Sequence, residues 1–401
     1  MGGARALLAG ALALLVIGAA APGTTAPRQP ASPRAARSPA PQLLPHPDAW
    51  ASSEARAIRG ITLGPIESSL QPGRGYGTPA SLRAMQEAKA LGANWISLTV
   101  FGRVWDTQST GVTLDFEQPV PVNRAAVRAA IAQAHSLGLR VLLVPHLWVE
   151  TGQWRGELDP PSDAGWEHWA ASYGRFLLEW AGFAEATGVD MLAAGVELRT
   201  WVTTTHAPSF ARLLKQVRQR YHGLLTYAGN WDDVEETVIA GELDVIGINA
   251  FYPLAEQEGA TLEELRRGAA RAAERVTRLA ERWDRPVMFT EFGYTTRPDP
   301  AVRPWEWPEA LRNVRVDQQA QADAYRALLG AMLDCEGFAG LFVWRYYADP
   351  ADLSQEAEWG FSPRGKAAER VLYDAFGARW RADPPRRGHA LISGRESPIV
   401  F

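Results

Sequence analysis

The chain has 401 residues, 46% hydrophobic and 21% charged, enough apolar material for one large core or two ordinary ones, which excludes a disordered or collagen-like polymer. Lysine plus arginine number 41 against 45 acidic residues, a formal charge of −4, so no cationic excess exists to condense on a phosphate backbone and nucleic acid is not an expected partner. The single cysteine, Cys335, excludes an internal disulfide framework, and no Cys/His group has zinc-ligand spacing.

At the start of the chain, Arg5 precedes the apolar run Leu7 to Ala21, which ends in small residues. Residues 1–21 read as a secretory signal peptide, with an uncleaved N-terminal anchor as the other reading. The run is shorter than the roughly 20 residues of a membrane span, so no stable span is expected after cleavage. Residues 22–49 are rich in Ala, Pro, Ser, Thr and Arg, with almost no large apolar side chain to offset the entropy of ordering, and read as a linker. The folded domain is assigned to 50–378 and a loose tail to 379–401, where Pro384-Pro385 interrupts any period. The expected setting is a bacterial envelope or secreted protein, and a monomer.

Within the folded part, aliphatic and β-branched runs predict strands at Ile58–Leu63, Trp95–Val100, Val141–Val144, Asp190–Ala194, Leu224–Tyr227, Val245–Ile248, Val287–Thr290 and Gly340–Trp344. Stretches of helical period separate them. Thr78-Pro79 has the form of a helix start and Gly92 of its end, and Val127, Ala130, Ile131 and Ala134 mark one apolar stripe closed by Gly138. A strand apolar throughout, such as Val141 to Val144, must be covered on both faces, which favours a parallel sheet with crossover helices. Eight such units predict an α/β fold, a single (β/α)8 TIM barrel with extended βα loops after strands 2, 3 and 7. The alternative, an open doubly wound sheet, lacks its glycine fingerprint after strand 1.

Such a barrel carries its chemistry at the C-terminal ends of its strands. Glu197 closes strand 4 and Glu291 closes strand 7, on one rim. Two carboxyl groups flanking a glycosidic bond can divide its cleavage: one protonates the departing oxygen, the other attacks the anomeric carbon or assists a water. The bland reading is that each pairs with an arginine for packing, with Arg155, Arg199 and Arg345 as partners. Of 16 tryptophans, Trp105, Trp148, Trp154, Trp201, Trp231, Trp305, Trp307 and Trp344 fall at or after strand ends, where an indole face matches the C–H face of a pyranose. Half of these are expected only to pack loops, with Trp344 the candidate platform under the reacting sugar. His146, Arg155, Asn230, Asn249, Tyr252 and Tyr294 are candidate partners for sugar hydroxyls. Tyr76, in a glycine-rich stretch expected to be a mobile loop over the cleft, is another.

The strings PHLWVETGQWRGEL, GVELRTW, DVIGINAFYPL, RPVMFTEFGYTTRP with its downstream PWEW, and WGFSPRGKAAE closely resemble glycoside hydrolase family 113, the (β/α)8 β-mannanases of clan A. The resemblance runs from about the first strand to the last helix. It implies a retaining enzyme acting on β-1,4-mannan without cofactor or metal, with Glu197 as acid/base and Glu291 as nucleophile. One position departs from the clan: Val196 stands where Asn often precedes the acid/base, and Asn230 or Asn249 would have to supply that contact. The rival readings are a carbohydrate-binding barrel without catalysis and an envelope scaffold domain. Gly360 to Lys366 matches part of a phosphate-binding loop, but Ala367 replaces the magnesium-holding Ser or Thr, so it reads as the lead into the last helix.

Overall fold

In the computed structural model, residues 57–64, 72–306, 314–349 and 356–376 are described. The predicted leader, linker and tail, and Trp307, lie outside them. The apolar runs become strands that pair in parallel, each followed by a crossover: β1 (Ile58–Gly64), α1 (Pro79–Leu91), β2 (Trp95–Val104), α2 (Val120–Ser136), β3 (Arg140–Val149), α3 (Asp163–Thr187) and β4 (Met191–Val196). There follow α4 (Arg199–Thr203), α5 (Ala207–Arg220), β5 (Leu224–Asn230), β6 (Ile246–Asn249), α6 (Leu262–Trp283), β7 (Val287–Phe292), α7 (Gln318–Met332), β8 (Phe338–Tyr347) and α8 (Ala367–Phe376). The strands run in chain order around a closed barrel, and β8 meets β1 from Gly340 opposite Ile58 to Tyr347 opposite Gly64.

Two apolar layers hold this architecture. Ile58, Trp95, Leu142, Met191, Met288 and Phe342 fill the barrel interior, and a larger core lies between strands and helices. Helix ends follow local chemistry. The Thr78 hydroxyl accepts from the Ser81 amide with Pro79 in the first turn, Gly92 terminates α1 at φ 108°, and Thr261 and Glu264 form a capping box on α6.

The structure departs from the predicted pattern in two places. Strands β2 and β3 extend to Val104 and Val149, lifting their ends above the rest of the barrel as a ladder of paired residues. Between β5 and β6 the described chain makes two 3-10 turns, Val234–Glu236 and Ala240–Glu242, in place of an α-helix. Long connections after β2, β3 and β7 take up the extra length, as expected.

One other expectation is corrected. Tyr76 is buried, its hydroxyl donating to the Leu63 carbonyl at 2.7 Å and accepting from the Thr99 amide at 3.0 Å, so it pins the glycine-rich stretch to the barrel, with its hydroxyl already engaged by backbone. Lys366 is structural, in keeping with the reading of its stretch as the lead into the last helix: its Nζ donates to Thr296 Oγ1 at 2.8 Å, and burial pulls its ammonium down to about 8 against the charge of Glu356. Cys335 is buried, as expected of a small apolar residue. No helix among the described residues is long and apolar enough to cross a membrane.

Helix α6 sits close to the loop after β6 because Gly268 has no side chain. A Cβ there would lie 2.0 Å from the Leu254 carbonyl oxygen, which is backbone and has little room to give. Gly268→Ala should therefore destabilise the barrel by about 2 kcal/mol despite its gain in helix propensity. Chemical denaturation of the two proteins checks this.

Candidate active site

At the mouth of the barrel, β4 ends at Val196, and Glu197 takes φ 51°, a left-handed backbone that a non-glycine residue adopts at a cost of about 1 kcal/mol or more. Its amide stays on the sheet, donating to the Ala228 carbonyl at 2.8 Å. The carboxylate is 7% exposed and held at both oxygens. Asn249, the last residue of β6, donates from Nδ2 to Oε1 at 2.8 Å, and the amide orientation is set by Thr290 Oγ1, which donates to Asn249 Oδ1 at 2.9 Å. Oε2 accepts from Trp154 Nε1 at 2.9 Å and from the Arg155 guanidinium, both from the long loop after β3.

Glu291 stands opposite Asn249 in the β6–β7 pairing, so both carboxylates gather around one amide-bearing side chain. Burial pushes the Glu291 carboxyl above the usual carboxylate range, and the charge of Glu197 adds to the effect; Arg155, Arg345 and Asn249 oppose it. Arg345 is held in turn by Tyr347, whose hydroxyl accepts from Nη2 at 2.6 Å and from Nε at 3.0 Å. His146, at the end of β3, is buried, and burial together with Arg155 and Arg345 keeps its imidazole well below the usual range and neutral. Its Nδ1 donates to the Leu147 carbonyl at 2.9 Å, which leaves Nε2 as an acceptor. Two carboxylates that repel each other within reach of two guanidiniums can share one proton, as an acid paired with a nucleophile or base requires.

The Glycoside Hydrolase Family 113 model matches residues 70–366. The chain belongs to this family. It is therefore a glycoside hydrolase. Among solved structures it is similar to the GH113 β-mannanase AaManA from Alicyclobacillus acidocaldarius in complex with ManMIm, at 26% identity over 80% of this chain and 97% of that one, TM-score 0.69. A second GH113 β-1,4-mannanase, solved as a complex, is 25% identical over 80% of this chain and 99% of that one, TM-score 0.68. A GH2 β-galacturonidase from Eisenbergiella tayi, 14% identical over 80% of this chain and 51% of that one at TM-score 0.51, shares the fold alone. No curated protein matches the chain.

Within this GH113 barrel the predicted site residues divide. Glu197, Arg155, Trp154 and Asn249 are brought into direct contact, and Glu291 and His146 join them electrostatically. Of the three arginines considered as partners, Arg155 pairs with Glu197. Arg199 instead bonds Asp232 and Asp233, and Arg345 bonds Tyr347. Asn230 is turned to Asp232 Oδ1 at 2.7 Å.

Tyr252 and Tyr294 lie in the core, the Tyr294 hydroxyl donating to the Tyr252 carbonyl at 2.9 Å, so they brace the rim from beneath. Trp201 is buried as well, and so is Trp344, at 9% exposure, with the Arg345 guanidinium 4.8 Å from its ring centroid. Among the described residues three tryptophans are open: Trp105 at 69% exposure, Trp148 at 50% and Trp305 at 47%, with Trp305 stacked on Trp231 at 5.4 Å between centroids.

Sequence reasoning missed Thr290, Asp232 and Asp233. The adjacent pair directly after Trp231, at a strand end, was the available signal for the last two; Thr290 is marked only by preceding Glu291.

Proposed function

We propose that the chain is a retaining endo-β-1,4-mannanase-like hydrolase in which Glu291 attacks the anomeric carbon and Glu197 protonates the leaving oxygen, then activates water. The observation that carries this reading is the convergence of both carboxylates on Asn249, with Arg155 and Arg345 favouring the anion of Glu291. In the first step a bond forms between a Glu291 oxygen and the anomeric carbon as the glycosidic C–O bond breaks; the proton that the pair shares must sit on Glu197 when that oxygen leaves. In the second, Glu197 takes a proton from water and the glycosyl ester is hydrolysed with overall retention. The likeness to two GH113 mannanases supports mannan as the polymer.

Internal cleavage is supported by two aromatic surfaces at different sectors of the rim. Trp148 packs with Phe101 and Phe116 beside β2 and β3, and Trp305 lies on Trp231 beyond β5. The Trp305 loop is pinned by Arg297, which donates to Glu306 at 2.5 Å and to the Arg303 carbonyl at 2.7 Å. A polysaccharide can lie across both surfaces. Trp305→Ala should raise KM for polymer by about three- to tenfold, the effect of one lost stacking contact, with kcat nearly unchanged.

The deciding experiment incubates purified protein with mannan, glucomannan, xylan and β-glucan, followed by product chromatography and NMR of the first anomer released. β-Mannooligosaccharides released first as the β-anomer fit the reading; an α-anomer or no cleavage of any polymer overturns it. The leader-like sequence of residues 1–21 supports action outside the cytoplasm, which fractionation of the producing cells tests.

A further inference from the structure

Trp154 reaches Glu197 with its polar edge, and what surrounds the ring accounts for that orientation. The Arg199 guanidinium lies 4.4 Å from the ring centroid, and the Gly156 backbone lies against the benzo ring so closely that a Cβ there would come within 2.3 Å of Trp154 Cη2. With a cation over the ring and backbone against it, the indole offers its N–H rather than a stacking face. Arg199 is itself fastened: Nε donates to Asp233 Oδ2 and Nη2 to Asp232 Oδ1, each at 2.7 Å, and Asn230 Nδ2 also donates to Asp232 Oδ1. Burial lifts the Asp233 carboxyl to about 6, with the Arg199 charge acting against it, so this carboxylate sits where an ion is costly unless paired.

Three segments meet in this cluster: the loop after β3, the start of α4 and the loop after β5. The Arg199–Asp232 pair is exposed on both sides, at 35% and 40%, and contributes little to global stability, whereas Asp233 is 6% exposed and depends on Arg199 to carry its charge. Both pairs act on orientation.

We propose that Arg199, fastened by Asp232 and Asp233, is a positioning residue for Glu197: it clamps the Trp154 indole so that its N–H stays on the carboxyl group that protonates the leaving oxygen. This rests on the role proposed for Glu197. Acid assistance matters in proportion to how poor the leaving group is, so a fault in the acid shows on a sluggish aglycone and is muted on an activated one. General loss of folded protein would lower both alike.

The test compares kcat/KM, which reports the first step, for 4-methylumbelliferyl and 2,4-dinitrophenyl β-mannobioside. The proteins are the wild type, Glu197→Ala, Arg199→Met, Trp154→Phe and the double variant of the last two. Arg199→Met should lose about ten- to hundredfold on the methylumbelliferyl substrate, the effect of a displaced charge-assisted hydrogen bond, and less than about threefold on the dinitrophenyl one. Trp154→Phe keeps the ring and removes the donor, so it should show the same split, and the double variant should be within about twofold of the worse single. Equal losses on both aglycones, or losses that multiply in the double variant, overturn the clamp. If Arg199→Met does not fold, Trp154→Phe and Asp233→Asn are read by the same criterion. A wild type inert on both substrates, or a Glu197→Ala protein without the split, takes down the underlying reading instead, and the clamp with it.

Discussion

Glu291→Ala should lower kcat/KM on mannan by about three to four orders of magnitude, and azide should restore turnover of 2,4-dinitrophenyl β-mannobioside with a product of inverted, α configuration. Glu291 lies at the end of β7 directly across from Asn249, so truncation opens space at the anomeric face that a small anion can occupy. Azide then attacks once, and a single displacement inverts. Glu197→Ala should also be rescued by azide on this activated substrate, but through the ester on Glu291, and its product should keep the β configuration. Proton NMR of the two glycosyl azides separates the roles. A β-azide from Glu291→Ala would exchange the assignments, and near-wild-type turnover would remove Glu291 from the mechanism.

The barrel was legible because its strands are marked twice, by β-branched and aliphatic runs and by the need to cover both faces of a parallel sheet. Val141 to Val144 shows this well, since Leu142 and Val144 face the barrel interior while Val141 and Leu143 pack toward the helices. The ends of β2 and β3 were less legible because Phe101-Gly102-Arg103 and His146-Leu147-Trp148 are mixed in polarity, although only Trp148 of these six is exposed. The crossover after β5 was misread because two 3-10 turns bury Val234 and Ala240 without a helical stripe.

The two carboxylates could be located by position on the rim, since any residue closing a barrel strand faces the mouth. Their partners could not be assigned in the same way. Asn249, Trp154 and Arg155 reach Glu197 from 42 to 52 residues away in sequence, and whether an amide or indole meets a sugar or a carboxylate depends on loop paths that one chain does not display. Tyr252 and Tyr294 illustrate the converse: they have the side chains of a binding site and the positions of a core, and burial decides.

Arg155→Met should cut activity most at acid pH and destabilise the protein as well. Arg155 bonds Glu197, whose side chain is 8% exposed, so removing the guanidinium leaves a buried carboxylate with only the Trp154 and Asn249 donors; the cost is about 3 kcal/mol, near the lower end for breaking a buried pair. Arg155 also favours the anion of Glu291, whose carboxyl burial and Glu197 already hold above its ordinary range. A raised value in the folded state means the native protein keeps a proton that the unfolded chain has released, so stability falls as pH rises through that window. Without Arg155 the folded-state value rises beyond the wild-type value of about 8, so the extra deficit relative to wild type should appear only as pH climbs above about 8. For catalysis, ionised Glu291 is required, so the acid limb of kcat/KM should move to higher pH, with about a hundredfold loss below about pH 8 that shrinks only above it. Denaturation midpoints and pH–rate profiles, measured on the same preparations, check both halves. An acid limb that stays in place while kcat falls would reduce Arg155 to a brace for Glu197, with no part in the ionisation of Glu291.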